Sequence, residues 1–413
     1  MFDFQISAIK NHPCSNGFMK SVLLYFLILC ECFAGEDVVQ WLHLTSKNGD
    51  LPVPGKSQQQ TAALVLDVDK DGTNDFILGF RQVAPALVWY RRTGNGWTRY
   101  VIEKEYLTIE AGGAYYDIDG DGDLDIVMGG DWQSADVWWW ENPYPNYSQD
   151  VQWKRRIIKN SGAHQHHDQC FADFKGKGIA QLAFWNQGAK TIFIAEIPQN
   201  PRQATQWNYY PIFKGIAGED AARYPEGMSA FDIDGDGIKD LLAGNCWFKY
   251  KGGTNFITVK IGSVGGLIFA GQLIEGGYPE IVISPGDSSG PVNWYECKGN
   301  PHNSSDWKAH NLVDKVVHGH SLQLADINGD GHLDIFVAEM AKWSENKQSP
   351  DNPGARALIY FGDGKGNFKR TEYITGYGWH EARVADLNGD GKLDILSKPY
   401  NWDTPRVDIW LQR

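Results

Sequence analysis

Cysteine is scarce in this chain of 413 residues, and the six present do not build a disulfide framework. Three lie within the first 35 residues; the others, Cys170, Cys246 and Cys297, are odd in number and far apart. Positive charge is in deficit, with 38 Lys and Arg against 51 Asp and Glu. The resulting net charge of −13 speaks against nucleic acid as a partner. Long apolar runs are also missing. The apolar stretch Val22 to Cys30 is too short to cross a bilayer, so no integral span is expected in the mature chain. With Met19-Lys20 before it and Cys32-Phe33-Ala34 before Gly35, it reads as a secretory signal. Residues 1–35 are therefore expected to be a signal region, with Met19 as an alternative start, and 36–413 an exported domain, secreted or periplasmic.

What the chain does have is a short acidic loop spelled five times between apolar runs. The copies begin Asp67-Val-Asp-Lys-Asp-Gly72, Asp117-Ile-Asp-Gly-Asp-Gly122, Asp232-Ile-Asp-Gly-Asp-Gly237, Asp326-Ile-Asn-Gly-Asp-Gly331 and Asp386-Leu-Asn-Gly-Asp-Gly391. Each adds an Asp three residues after its Gly: Asp75, Asp125, Asp240, Asp334 and Asp394. Oxygens at loop positions one, three, five and nine predict about five structural Ca2+ sites. The expected ligands are Asp67, Asp69, Asp71 and Asp75; Asp117, Asp119, Asp121 and Asp125; Asp232, Asp234, Asp236 and Asp240; Asp326, Asn328, Asp330 and Asp334; and Asp386, Asn388, Asp390 and Asp394. An EF-hand is excluded because position twelve is Leu78, Met128, Ala243, Val337 or Ser397 instead of Glu. The flanks, such as Leu64-Val-Leu66 and Phe76-Ile-Leu78, suit buried strands.

Two further copies have decayed loops, at Cys170-Phe-Ala-Asp173-Phe-Lys-Gly-Lys-Gly178 and at Gly271-Gln-Leu-Ile-Glu-Gly276. The repeat of about fifty residues fits four short strands, the size of a propeller blade. Aromatic third strands recur in phase, from Leu87-Val-Trp-Tyr90 to Val407-Asp-Ile-Trp410. The fourth strands open at Trp97, Trp153, Trp207, Phe256, Trp307 and Phe368. The seventh fourth strand is absent from the C-terminal end, but Val38-Val-Gln-Trp41-Leu-His-Leu44 matches it. An all-β, seven-bladed β-propeller follows, closed by the N-terminal strand completing the last blade. The run Trp138 to Trp140 is expected to pack between blades.

These repeats resemble the FG-GAP/VCBS propeller proteins over roughly residues 37–413. The resemblance implies calcium in the blade loops, and it leaves function open.

Counting back six residues from each loop start gives equivalent points around the central channel: Thr61, Ala111, His167, Glu226, a small residue near Gly265, His320 and His380. Three His and one Glu then face one axis. Neighbours enlarge the set: His164, His166, Asp168, Arg223, Tyr224, His318, Tyr377, Trp379, Glu381 and Glu110. Such groups hold a divalent transition metal or work as acid and base on a polar substrate. In the expected roles, His167 or His320 is the base. Glu226 and His380 bind or orient a catalytic metal, Arg223 steadies an anion and Tyr224 is the acid. His166, His318, Trp379 and Tyr377 contact substrate, the last two by stacking on a sugar.

Three segments are similar to the propeller part of the aldos-2-ulose (1,5-anhydrofructose) dehydratases. They are His164 to Asp168 with Phe184-Trp-Asn-Gln187, His318-Gly-His-Ser-Leu322 with Ala338-Glu339-Met340, and Asp403-Thr-Pro-Arg406-Val-Asp-Ile-Trp410. The chain has no room for that family's additional domains. Arg223 with Tyr224 also resembles the channel pattern of ulvan lyases. Both resemblances imply an exported lyase or dehydratase acting by β-elimination on a keto-sugar or a uronic-acid saccharide. The alternative is a non-catalytic propeller that binds carbohydrate or protein.

Overall fold

A computed structural model describes residues 39–149, 152–215, 226–344 and 346–413. The signal region, Arg223 and Tyr224 lie outside the described residues. Seven four-stranded antiparallel sheets form the blades, and the first strand pairs with the last. Trp41–Thr45 lies against Asp408–Gln412, with Trp41 opposite Gln412 and Thr45 opposite Asp408. The last blade thus takes its outer strand from the other end of the chain. Among the described residues, a 3-10 turn at Ser304–Asp306 is the only helical element.

The core is divided among the junctions between blades. In a strand, successive side chains point to opposite faces. Trp138 and Trp140 therefore pack with Leu64, Trp89 and Trp153 towards the first blade. Trp139 packs with Leu182, Phe184 and Trp207 towards the third. The same alternation recurs around the ring. Phe76, Tyr90 and Trp97 join Leu396 and Ile409 at the closing junction.

Each acidic loop is braced by main-chain hydrogen bonds. The first Asp accepts from the Gly N–H five residues on, at 2.9 Å for Gly72 to Asp67 and 2.8 Å for Gly391 to Asp386. The ninth residue is buried, and in four of the five loops it accepts the N–H of position two: Ile118 to Asp125, Ile233 to Asp240, Ile327 to Asp334 and Leu387 to Asp394. The decayed loops keep this brace, with Gln181 accepting from Phe174 N–H and Glu280 from Leu273 N–H. Position nine therefore holds the turn whether or not the loop retains a cage. Burial lifts these carboxyls, to about 7 for Asp75 and about 8 for Asp125.

The fifth blade corrects the sequence register by one residue. Gly271 pairs with Glu280 at the end of the first strand, so its loop starts at Gln272. The equivalent channel residue is then Gly266, where an added Cβ would stand 2.1 Å from Ser284 O. Only glycine fits there.

Candidate functional site

The turns that enter the innermost strands place His167, Glu226, His320 and His380 together. All four are buried, at 5%, 2%, 1% and 3% exposure. His167 Nε2 and His320 Nε2 converge on Glu226 Oε2, at 3.8 and 3.3 Å. The other Glu226 oxygen accepts the Asp287 N–H at 2.6 Å, which fixes the carboxylate in this orientation. Behind the imidazoles, His167 Nδ1 contacts Asp168 at 2.5 Å and His320 Nδ1 lies 3.5 Å from Glu381. The Asp168 carboxylate hydrogen-bonded behind His167, with both Nε2 atoms facing Glu226, is how proteins orient a histidine for a transition metal. The ligating atoms of His167, Glu226 and His320 lie within 4.8 Å of one another, so this set fits such an ion.

His380 stands apart from that set. Its ring stacks on His320 with centroids 4.5 Å apart, while Nδ1 faces Lys398 Nζ at 3.0 Å. Lys398 is fully buried and also donates to Gln60 O and Thr61 O, joining the last blade to the first. Burial and the neighbouring Lys398 hold His380 well below the ordinary histidine value, so its imidazole is neutral. His320 behaves oppositely. Burial works against its charge, but Glu226, Asp287 and Glu381 raise it to about 9.

Above this floor opens a polar cavity of about 310 Å³, lined in part by Arg81, Trp132, Asp287, Lys342, His380 and Tyr400. Arg81 is ion-paired to Glu110 and its Nε lies 3.7 Å from Asp131. Tyr400 sits 5.0 Å from His380, centroid to centroid, and burial raises its phenol above the usual value of 10. Of the remaining channel points, Thr61 donates to Ile109 O, and Ala111 lines the cavity.

Several expected contacts fall elsewhere. Trp379 is fully buried against Trp410 between the last two blades, so no sugar face can reach it. Tyr377 packs beside Trp410 and His43 and under Arg406, again at that junction. His166 is fully buried, with Nε2 facing Asn186 and its pKa pushed down to about 3 by burial. His318 ties Asp287 O to Asp351. His164 is exposed and bonded to Trp132 O.

Arg81, Lys398 and Tyr400 went unnoticed in the sequence, although a signal for two of them was there. Counting six residues forward from loop position nine gives Arg81, Asp131, Gln187 and Tyr400 in four of the blades. These positions end the second strands or lie in the loops that follow them, which shape the same mouth of the channel.

Comparison with known proteins agrees with the architecture. The FG-GAP-like repeat model matches residues 349–397, from the loop before Arg356–Gly362 to the end of Asp394–Ser397. No match was found among curated protein sequences. Among solved structures, BBS1N in complex with ARL6DN is similar at a TM-score of 0.54 and 12% identity, over 90% of this chain and 97% of that one. An Agrocybe aegerita lectin that recognises non-reducing terminal N-acetylglucosamine aligns at 0.48 and 16% identity, over 77% and 81%. The rhamnogalacturonan lyase YesW aligns at 0.45 and 14%, over 90% and 75%. The chain is a seven-bladed β-propeller carrying an FG-GAP-like repeat.

Proposed function

We propose that the cavity above the imidazoles carries out β-elimination on a carbohydrate, either a keto-sugar or a uronic-acid saccharide, in an exported protein. The supporting observation is a neutral imidazole beside a protonated phenol, His380 and Tyr400, on the wall of a cavity floored by His167, His320 and Glu226. Elimination needs those two states side by side. His380 takes the proton α to the carbonyl or carboxylate, the carbon–oxygen bond at the β position breaks, and Tyr400 protonates the departing oxygen. His380 Nδ1 lies 3.1 Å from Gln60 O, and with its hydrogen donated there Nε2 is the free acceptor for the substrate proton. Arg81 supplies positive charge on the same wall. His167, His320 and Glu226 would hold a divalent ion, whose chemistry is Lewis-acid stabilisation of the enolate. The base role thereby moves from His167 or His320 to His380.

The test is ultraviolet absorbance during incubation with keto-sugars and with uronic-acid polysaccharides, divalent metals supplied. A rise from a new conjugated double bond, lost in His380→Ala, Tyr400→Phe and His320→Ala without loss of fold, is expected. Full activity in both His380→Ala and Tyr400→Phe would remove the acid–base assignment.

One feature supports a binding role instead. Trp132 is 62% exposed at the cavity rim, where an indole can stack on a sugar face. Flat absorbance traces with glycan binding that depends on Trp132 would favour the non-catalytic reading.

A further inference from the structure

We propose that the loop of the fourth blade carries its own cation: the Lys249 ammonium occupies the cage formed by Asp234, Asp236 and Asp240, and this blade takes no calcium. The placement begins with strand register. Leu241 pairs with Phe248, so Lys249 lies opposite Asp240, the ninth loop residue. Cross-strand neighbours share a face of the sheet, which directs the lysine over the loop. In the other blades the same position holds Arg91, Glu141, Glu196, Glu296, Phe361 and Leu411.

The contacts fit an ammonium. Lys249 Nζ lies 2.8 Å from Asp234 Oδ1, 2.6 Å from Asp236 Oδ2 and 3.3 Å from Asp240 Oδ1. The ammonium donates to Asp234 and lies within ion-pair distance of Asp236 and Asp240. His302 Nε2 also faces Asp234, at 3.4 Å.

Other basic side chains near the loops are held differently. Arg91 pairs with Asp69 in the first blade, and Arg202 reaches Asp119 and Asp121 in the second. Their side chains are 34% and 44% exposed and can turn out to solvent. Lys249 is 6% exposed and enclosed. A divalent ion on the same oxygens would lie within a few ångströms of a buried ammonium, and at that distance like charges repel strongly. The sixth and seventh blades place the uncharged Phe361 and Leu411 at this position.

The experiment counts calcium per chain by atomic emission, after chelation and reloading, in wild type, Lys249→Met and Asp236→Asn. Lys249→Met is expected to bind one ion more than wild type, and Asp236→Asn the same number. Equal binding in wild type and Lys249→Met, or the loss of one ion in Asp236→Asn, overturns the proposal. Asp236 is 41% exposed, so its variant decides the question if Lys249→Met does not fold. A wild type that binds no calcium would refute the metal reading of the other loops, while the gain in Lys249→Met would still decide the fourth.

Discussion

Glu339 shows how much a single buried side chain holds in this ring. Its carboxylate accepts from Arg356 through Nε and Nη2 and from the Val317 and Arg356 N–H groups. Burial would raise its pKa, but these donors hold it below the ordinary 4.5. Glu339→Gln should cost about 2–3 kcal/mol, because the guanidinium and two amides lose a charged partner. A depressed carboxylate stabilises the fold above its unfolded pKa and stops doing so as pH falls through the folded value. The gap between wild type and variant, measured by urea unfolding, should therefore be full near neutrality and shrink below about pH 4.5. A gap that persists unchanged into acid would show that the ion pair is not its source. The same scale separates the two kinds of histidine here. His320 among carboxylates is drawn towards charge, whereas His380 beside Lys398 is kept neutral.

At the level of elements, the strand is the unit that sorts side chains into neighbouring junctions. Trp139 lies between the second and third blades, so Trp139→Ala should lower stability by about 3–5 kcal/mol, read from its denaturation midpoint. The strand Trp41–Thr45 has a different task. Without it, Asp408–Gln412 becomes an open edge, with unpaired amides that invite other chains. A chain beginning at Ser46 is expected to melt at lower temperature and to associate as concentration rises, seen by light scattering. An unchanged melting temperature in a monomeric truncation would mean that the pairing contributes nothing to closure. His43 adds to this seam, with Nε2 2.9 Å from Asp408 and its ring stacked on Trp410.

For the whole molecule, the acidic loops are spread around one rim while the imidazoles gather on the axis. Calcium bound only by the folded ring would stabilise it by mass action, about 2.7 kcal/mol per site at a hundredfold excess over Kd. Chelation should therefore lower Tm, and readdition should restore it. An unchanged Tm would show that the loops hold their shape through the main-chain brace alone. His167, Glu226 and His320 come from the opposite ends of the inner strands, and a chelator would also strip a divalent ion held there. Readdition of calcium alone therefore separates the two: Tm restored without activity assigns a different ion to the channel.

The sequence by itself determined the blades. Loop positions, strand phase and the missing seventh outer strand repeat in register, and a repeat imposes its geometry on every copy. That regularity also brought His167, Glu226, His320 and His380 to one axis from four distant stretches of chain. It could not rank them, since protonation depends on neighbours supplied by other blades, such as Lys398 for His380 and Asp287 for His320. Nor could it show that Trp379 turns into a blade junction, because an aromatic beside a channel residue reads alike whether it faces solvent or core. Lys249 makes the same point: only strand pairing reveals which residue lies opposite an acidic loop, and so whether the charge there is met by a metal ion or by the chain itself.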